Sequence, residues 1–193
     1  MTDNMKASPV THSDVSLEYT SGLEREFGSG KFVVTAEIGP PRSADASHVE
    51  KTACSLRGFV HAANVTDNQT AIVRMSSIAA AYIGQTCGVE TVVQMTCRDR
   101  NRIAIQSDLL GAYALGLRNL LCLSGDHQSF GDHPQSKNVF DIDSIQLIRL
   151  AADMKNDGVF ANGKKGKNMP KFFIGATINP FADPEELQLI RLR

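Results

Sequence analysis

The chain has 193 residues, 42% of them hydrophobic and 21% charged, with a net charge of -1. That is one soluble domain with enough apolar mass for a core. It lacks the clustered basic face of a nucleic-acid binder, and no apolar run approaches the ~20 residues that span a bilayer. The four cysteines, Cys54, Cys87, Cys97 and Cys122, form no C-x-x-C pair. They read as buried free thiols rather than a zinc site.

The polar start, residues 1–15, has no apolar h-region and reads as a flexible segment without a signal peptide, which points to the cytoplasm. Residues 16–193 read as one α/β domain. A short helix is expected over Leu17 to Phe27, with Leu23 and Phe27 on one face. Five apolar runs follow, each stopping in polar, glycine or proline residues. They are Val33 to Arg42, Phe59 to Asn68, Val92 to Arg102, Leu120 to His127 and Phe172 to Pro180. Such runs read as buried strands that hand their last residues to a site.

Helices are expected between and after them. Ser43 to Leu56 carries Asp45 or Ser47 as a cap; Ala71 to Ile83 is rich in alanine. Asp99 to Leu115, Asp143 to Met154 and Asp183 to Arg193 complete the set, the last with Pro184 in its first turn. Repeated strand–helix units make a parallel array, whose chemistry sits at the carboxyl ends of the strands. Five units fit either an open sheet or the front of an eight-stranded barrel of about 250 residues.

The polar stretch Ser124 to Asn138 falls at the carboxyl ends and reads as functional; Asn156 to Asn168 falls at the other end and reads as a solvated turn. Two Asp-His pairs in the first stretch lack further ligands for a metal. GSGK at Gly28 to Lys31 is not a complete phosphate loop, and no G-x-G-x-x-G opens a helix. Glu37, near the end of an apolar strand and before a double proline, should lose hydration and so keep its proton near neutral pH, as a general acid must, or else pair with Arg42. Arg98, Arg100 and Arg102 cannot all face one ligand, so pairing with Asp99 or Asp108 is expected for some of them.

The strand-end clusters, taken in order, resemble the methylenetetrahydrofolate reductase family. The matching elements are E-x-x-P-P-R from Glu37, V-T at Val65 and Thr66, T-C at Thr96 and Cys97, L-x-G-D from Leu123, and N-P-x-x-D-P-E from Asn179. The resemblance implies a (β/α)8 TIM barrel binding FAD at the strand carboxyl ends, with the first five βα units in this chain. It implies reduction of 5,10-methylenetetrahydrofolate to 5-methyltetrahydrofolate with NADH, NADPH or another reductant. By resemblance, Glu37 protonates N10 of the folate and Asp126 favours the cationic iminium while also contacting the cofactor. Thr66 and Gln94 would line the flavin, with Gln94 where relatives carry histidine. Ser124 stands where relatives often carry arginine, and Gly125 lets a flat ring approach the backbone. Phe140 and Asp141 fall where relatives contact cofactor, and an aromatic at Phe140 could equally be core. Asn179 and Asp183 stand where relatives reach the FAD ribose and diphosphate; a carboxylate repels phosphate, so Asp183 suits a ribose hydroxyl or a helix cap. For Asp67 and Asn68 a helix cap is the preferred reading. Two open sheet edges would favour an oligomer or a partner subunit, and a truncated, partner-dependent module is the alternative function.

Overall fold

The computed structural model describes residues 18–179, 181 and 183–191. The expected flexible segment at residues 1–15 and Pro180 lie outside them. Five parallel strands form one sheet in the order β1-β2-β3-β4-β5. They are β1 Thr35–Ile38, β2 Ala62–Val65, β3 Thr91–Thr96, β4 Asn119–Leu123 and β5 Phe173–Ala176. The helices are α1 Gly22–Gly28, α2 Ser47–Leu56, α3 Ser77–Thr86, α4 Arg102–Ala114, α5 Ser144–Asn156 and α6 Glu185–Arg191. Every strand lies beside its sequence neighbour, with no reversal of strand order. A doubly wound sheet contains such a reversal, so the crevice it would create is absent.

Alternation along each strand sorts the side chains onto two faces. Ile38, Val65, Val93, Met95, Leu120 and Cys122 join Val49 and Ala53 of α2, Leu109 of α4 and Leu147 of α5 in the main core. The opposite face carries a smaller cluster, in which Val92 and Ala62 meet Leu23, Leu121 and Phe173. Register stacks this face in layers: Glu37 lies beside Asn64, Asn64 beside Val92, Val92 beside Asn119, and Asn119 beside Phe173. Helix α1 covers its amino-terminal end. Leu23 N–H donates to Glu90 at 3.0 Å, and Asn119 Nδ2 donates to the same carboxylate oxygen at 2.9 Å. Leu23 is buried as expected, but Phe27 is exposed and only stacks its ring near Phe173.

The helices begin later than their sequence patterns suggest, because local polar groups take the first turns. Asn101 accepts from Ile103 and Ala104 N–H, both at 3.0 Å, and so starts α4 at Arg102 rather than at Asp99. Asp143 caps α5 in a reciprocal capping box with Gln146. Asp45 accepts from Ser47 N–H at 2.9 Å just ahead of α2. Residues 69–71 form a separate 3-10 turn, and Met75 N–H is tied to the Pro41 carbonyl, so α3 starts only at Ser77.

The two polar stretches behave differently. Around residues 156–168 a single antiparallel bridge joins Val159 to Lys165, and the lysines face solvent. The stretch after β4 is built into the rim. His127 caps a short 3-10 helix, and Asp132 pairs with Arg42 at 2.5 Å, tying the β4 loop to the β1 loop. Among the described residues no group of acidic, histidine or cysteine side chains is placed to hold a metal, and no helix is long and apolar enough to cross a membrane. Of the cysteines, Cys97 and Cys122 are buried, but Cys54 is exposed and Cys87 half-buried, because both lie on the helical layer. Burial pushes the Cys97 thiol up to about 11 and the Cys122 thiol up to about 12, which keeps both inert.

Candidate active site

A cavity of about 450 Å³ opens at the carboxyl ends of the strands. That lies within the roughly 300–1,000 Å³ of small-molecule sites. Seven residues singled out in the sequence line it: Glu37 from β1, Thr66 after β2, Gln94 from β3, Ser124, Gly125 and Asp126 after β4, and Asn179 after β5. The alternation of short parallel strands brings them there. Each strand turns its last inner-facing residue toward the same end of the sheet.

Glu37 and Asp126 therefore face one cavity, although β2 and β3 separate their strands. Glu37 is exposed rather than dehydrated, which corrects the expectation from its sequence setting. The apolar residues of its strand face α2, while its own side chain points to the uncovered face. Nor does it pair with Arg42, which is taken by Asp132; no partner for Glu37 occurs among the described residues. The Asp126 carboxylate is anchored by Thr70 N–H at 3.1 Å.

Thr66 is buried, and its Oγ1 has no hydrogen-bond partner among the described residues. A buried hydroxyl left unpaired costs free energy, so a polar group entering the cavity would relieve it. Gly125 has φ +90°, and a Cβ there would sit 3.0 Å from Thr96 Cβ and 3.1 Å from Arg98 Cβ. Glycine is required for the close approach of β4 to β3, a reason different from the expected approach of a ring. Ser124 Oγ and Ser144 Oγ are 3.1 Å apart, linking the β4 end to the first turn of α5.

Three residues proposed for cofactor contact are not brought to this cavity. Asp141 accepts from Arg102 N–H at 2.9 Å and from its Nε at 2.8 Å. Those hydrogen bonds hold its carboxyl down at about 2. Its role here is to fix the first turn of α4. Phe140, with φ +36°, is part of the bend leading to α5 and lies partly exposed. Asp183 is exposed, just ahead of α6.

The sequence reading of Asp67 as a helix cap is also corrected. Its carboxylate is buried and accepts from Thr96 N–H and Oγ1, both at 2.9 Å, and from Arg100 Nη1 at 2.6 Å. Burial opposes the charge on Arg100, but Asp67 and Asp108 outweigh it and hold the guanidinium above its usual value. Asn68 accepts from Arg74 N–H at 2.9 Å and so braces the 3-10 turn instead of capping α3. The arginines pair as expected with Asp99 and Asp108, and beyond that with Asp67 and Asp141.

Gln69, Thr96, Thr177 and Gln188 line the cavity without having been singled out as ligands, and of the three arginines weighed for a ligand only Arg98 is among the lining residues described. Thr177 follows from alternation, two residues after Gly175; Gln188 carries no signal in the sequence. The lining is rich in carboxylates, amides and hydroxyls, with Leu123 as its main apolar member. Such a set suits the hydrogen-bonding edges of a polar heterocycle, and of its three carboxylates Asp67 is taken by Arg100, which leaves Glu37 and Asp126 facing the cavity.

Comparison with known proteins meets this geometry. Residues 22–163, from α1 to just beyond α5, match the family model described as methylenetetrahydrofolate reductase. Asn179 and Asp183 fall beyond that match. A Caenorhabditis elegans protein named "Probable methylenetetrahydrofolate reductase (NADPH)" is 33% identical over 136 residues, covering 66% of this chain. The alignment spans 20% of that relative's length. The family model takes in β1 to β4 with Glu37, Thr66, Gln94 and the Ser124-Gly125-Asp126 turn, and on that match the chain belongs to the methylenetetrahydrofolate reductase family.

Proposed function

We propose that this chain forms the strand ends of a flavin-dependent barrel that reduces 5,10-methylenetetrahydrofolate to 5-methyltetrahydrofolate. The observation that carries the reading is the convergence of Glu37 and Asp126 on one cavity. The uninterrupted strand order supports a barrel, since eight sequential strands close on themselves.

The residues fit a flavin. The unpaired Thr66 Oγ1 and the Gln94 amide offer a donor and acceptors to a ring edge. A bound flavin supplies the hydride. Glu37 donates a proton to N10 of the substrate, which opens the five-membered ring to a cationic iminium. Asp126 offers a fixed negative charge to that cation, held in place by Thr70 N–H. Arg98, buried among carbonyls at the cavity floor, adds no free cation, because Asp99 neutralises it. The name of the Caenorhabditis elegans relative carries NADPH, which makes that nucleotide the first reductant to try.

Titration of the purified protein with FAD tests the cofactor, by flavin absorbance and fluorescence quenching. Folate-dependent oxidation of NADPH tests the reaction. Glu37→Gln is expected to keep flavin binding and to lower folate turnover by roughly 10²–10⁴-fold, the usual share of one general acid. A protein that binds no FAD, or a Glu37→Gln variant with full turnover, would sink the proposal.

A second reading is favoured by one observation. The inner sheet face keeps an apolar hollow of about 310 Å³ lined by Val92, Leu121 and Phe173, and among the described residues β1 and β5 each pair on one side only. A module completed by another subunit would use that face. A colourless, self-associating preparation that gains turnover only with a second chain would favour it.

A further inference from the structure

One side chain ties together the loops that line the cavity. Arg98 follows β3, and its side chain is 3% exposed although it carries a full charge. Its Nε and Nη2 donate to the Asp99 carboxylate at 2.8 and 2.7 Å. Nη1 also donates to the Asp126 carbonyl at 3.1 Å, and Nη2 to the Asn68 carbonyl at 3.2 Å. Its backbone N–H donates to Ser124 O at 3.1 Å, and its carbonyl accepts from Val139 N–H at 2.8 Å. The β2 loop, the β4 loop and the approach to α5 are thus pinned to one residue.

What Arg98 holds would not hold itself. Asn68, Thr70 and Ala71 have φ of 45°, 59° and 56°. Asparagine tolerates left-handed backbone, but it is costly for Ala71 and most of all for β-branched Thr70, and persists there only where the surroundings over-determine it. Thr70 N–H is the donor that fixes the Asp126 carboxylate. On the far side, a Cβ on Gly131 would collide with the carbonyl of Ala71, so the β4 loop also closes over this turn.

We propose that Arg98 is the positioning residue for Asp126. It grips the backbone on both sides of the Thr70–Asp126 hydrogen bond and so sets the aim of the carboxylate into the cavity. This rests on the reading that Asp126 acts on the bound folate. Arginine is needed for geometry: its planar fork reaches Asp99, Asn68 and Asp126 at once, which a lysine ammonium on a flexible stem does not. Because Asp99 neutralises the guanidinium, the contribution is placement rather than field.

The test uses Arg98→Lys, and Asp99→Asn as a milder variant in case the first fails to fold. In flavin-free protein, exchange of the Thr70 amide hydrogen, read by NMR, is expected to speed up by about tenfold, as for loss of one charge-assisted hydrogen bond. Asp126→Ala sets the reference for full release of that amide. Exchange at Leu120, in the strand core, stays unchanged. In flavin-loaded enzyme, reduction by NADPH is expected to stay unchanged, while kcat of the folate half-reaction falls by about tenfold or more with little change in KM. Unchanged Thr70 exchange overturns the proposal. So does a parallel loss of both half-reactions and of global stability, since that is what a merely structural role gives. If the parent protein binds no flavin, the proposed function fails, yet the Thr70 exchange still decides whether Arg98 positions Asp126.

Discussion

At the residue scale, unpaired and over-paired groups make opposite predictions. Thr66 Oγ1 is buried without a partner among the described residues, so Thr66→Val removes a desolvated hydroxyl and keeps the volume. The flavin-free variant is expected to melt at the same temperature as the parent or higher. On the proposed flavin reading, its affinity for FAD should fall by about three- to tenfold, the worth of one hydrogen bond. A cavity that does not use this hydroxyl would leave the affinity unchanged. Asp141 lies at the other extreme, held at about 2 from an ordinary 3.8 by Arg102. A depressed folded value means the pair stabilises the protein above about pH 4, and this contribution is lost as pH falls from there toward 2. Asp141→Asn should therefore melt lower than the parent at neutral pH, with the gap closing on acidification over that window. Both arguments depend on partners found only in three dimensions. In the sequence Asp141 stands two residues ahead of Asp143, at a position the family resemblance assigns to cofactor contact, and nothing local names Arg102 as its partner.

At the element scale, the end of β3 is held by a charge pair rather than by packing. Asp67 and Arg100 have side chains 1% and 14% exposed, and Asp67 also receives the N–H and hydroxyl of Thr96. Removing one partner leaves an uncompensated buried charge, which costs about 3–5 kcal/mol. Arg100→Leu is expected to lower unfolding stability by that amount in urea titration, with most of the loss recovered in Arg100→Leu/Asp67→Asn. Equal damage in the double variant would show that the pair is not the cause. The strands and helices themselves were legible, because alternation, capping residues and turn residues act over a few positions. Asp143 announces α5 in this way, whereas the Asn101 cap starts α4 three residues after the expected Asp99. The late start of α3 was not legible. It follows from Met75 N–H reaching Pro41 O and from a strained turn at residues 68–71 that Arg98 and Asp126 hold.

For the whole molecule, sequential order β1 to β5 leaves one helix-covered face and one inner face with an apolar hollow, lined by buried Val92 and half-buried Leu121 and Phe173. Open strands and apolar surface together favour association. The isolated chain is expected to elute above its monomer mass and to bind a hydrophobic dye. Leu121→Glu should shift it toward monomer without loss of helical signal; a monomeric parent would show that the face is covered in another way. The sequence by itself determined the five strand–loop–helix units, the polar residues at each strand end and the family to which they belong. These are local patterns, written within a turn or two of chain. Tertiary structure alone decided which strand-end groups share a cavity. It gathered Glu37, Thr66, Gln94 and Asp126, and turned Asp141 to Arg102 and Asp67 to Arg100. Those partners are fixed by sheet register and by the paths of loops across tens of residues, and no local pattern encodes either.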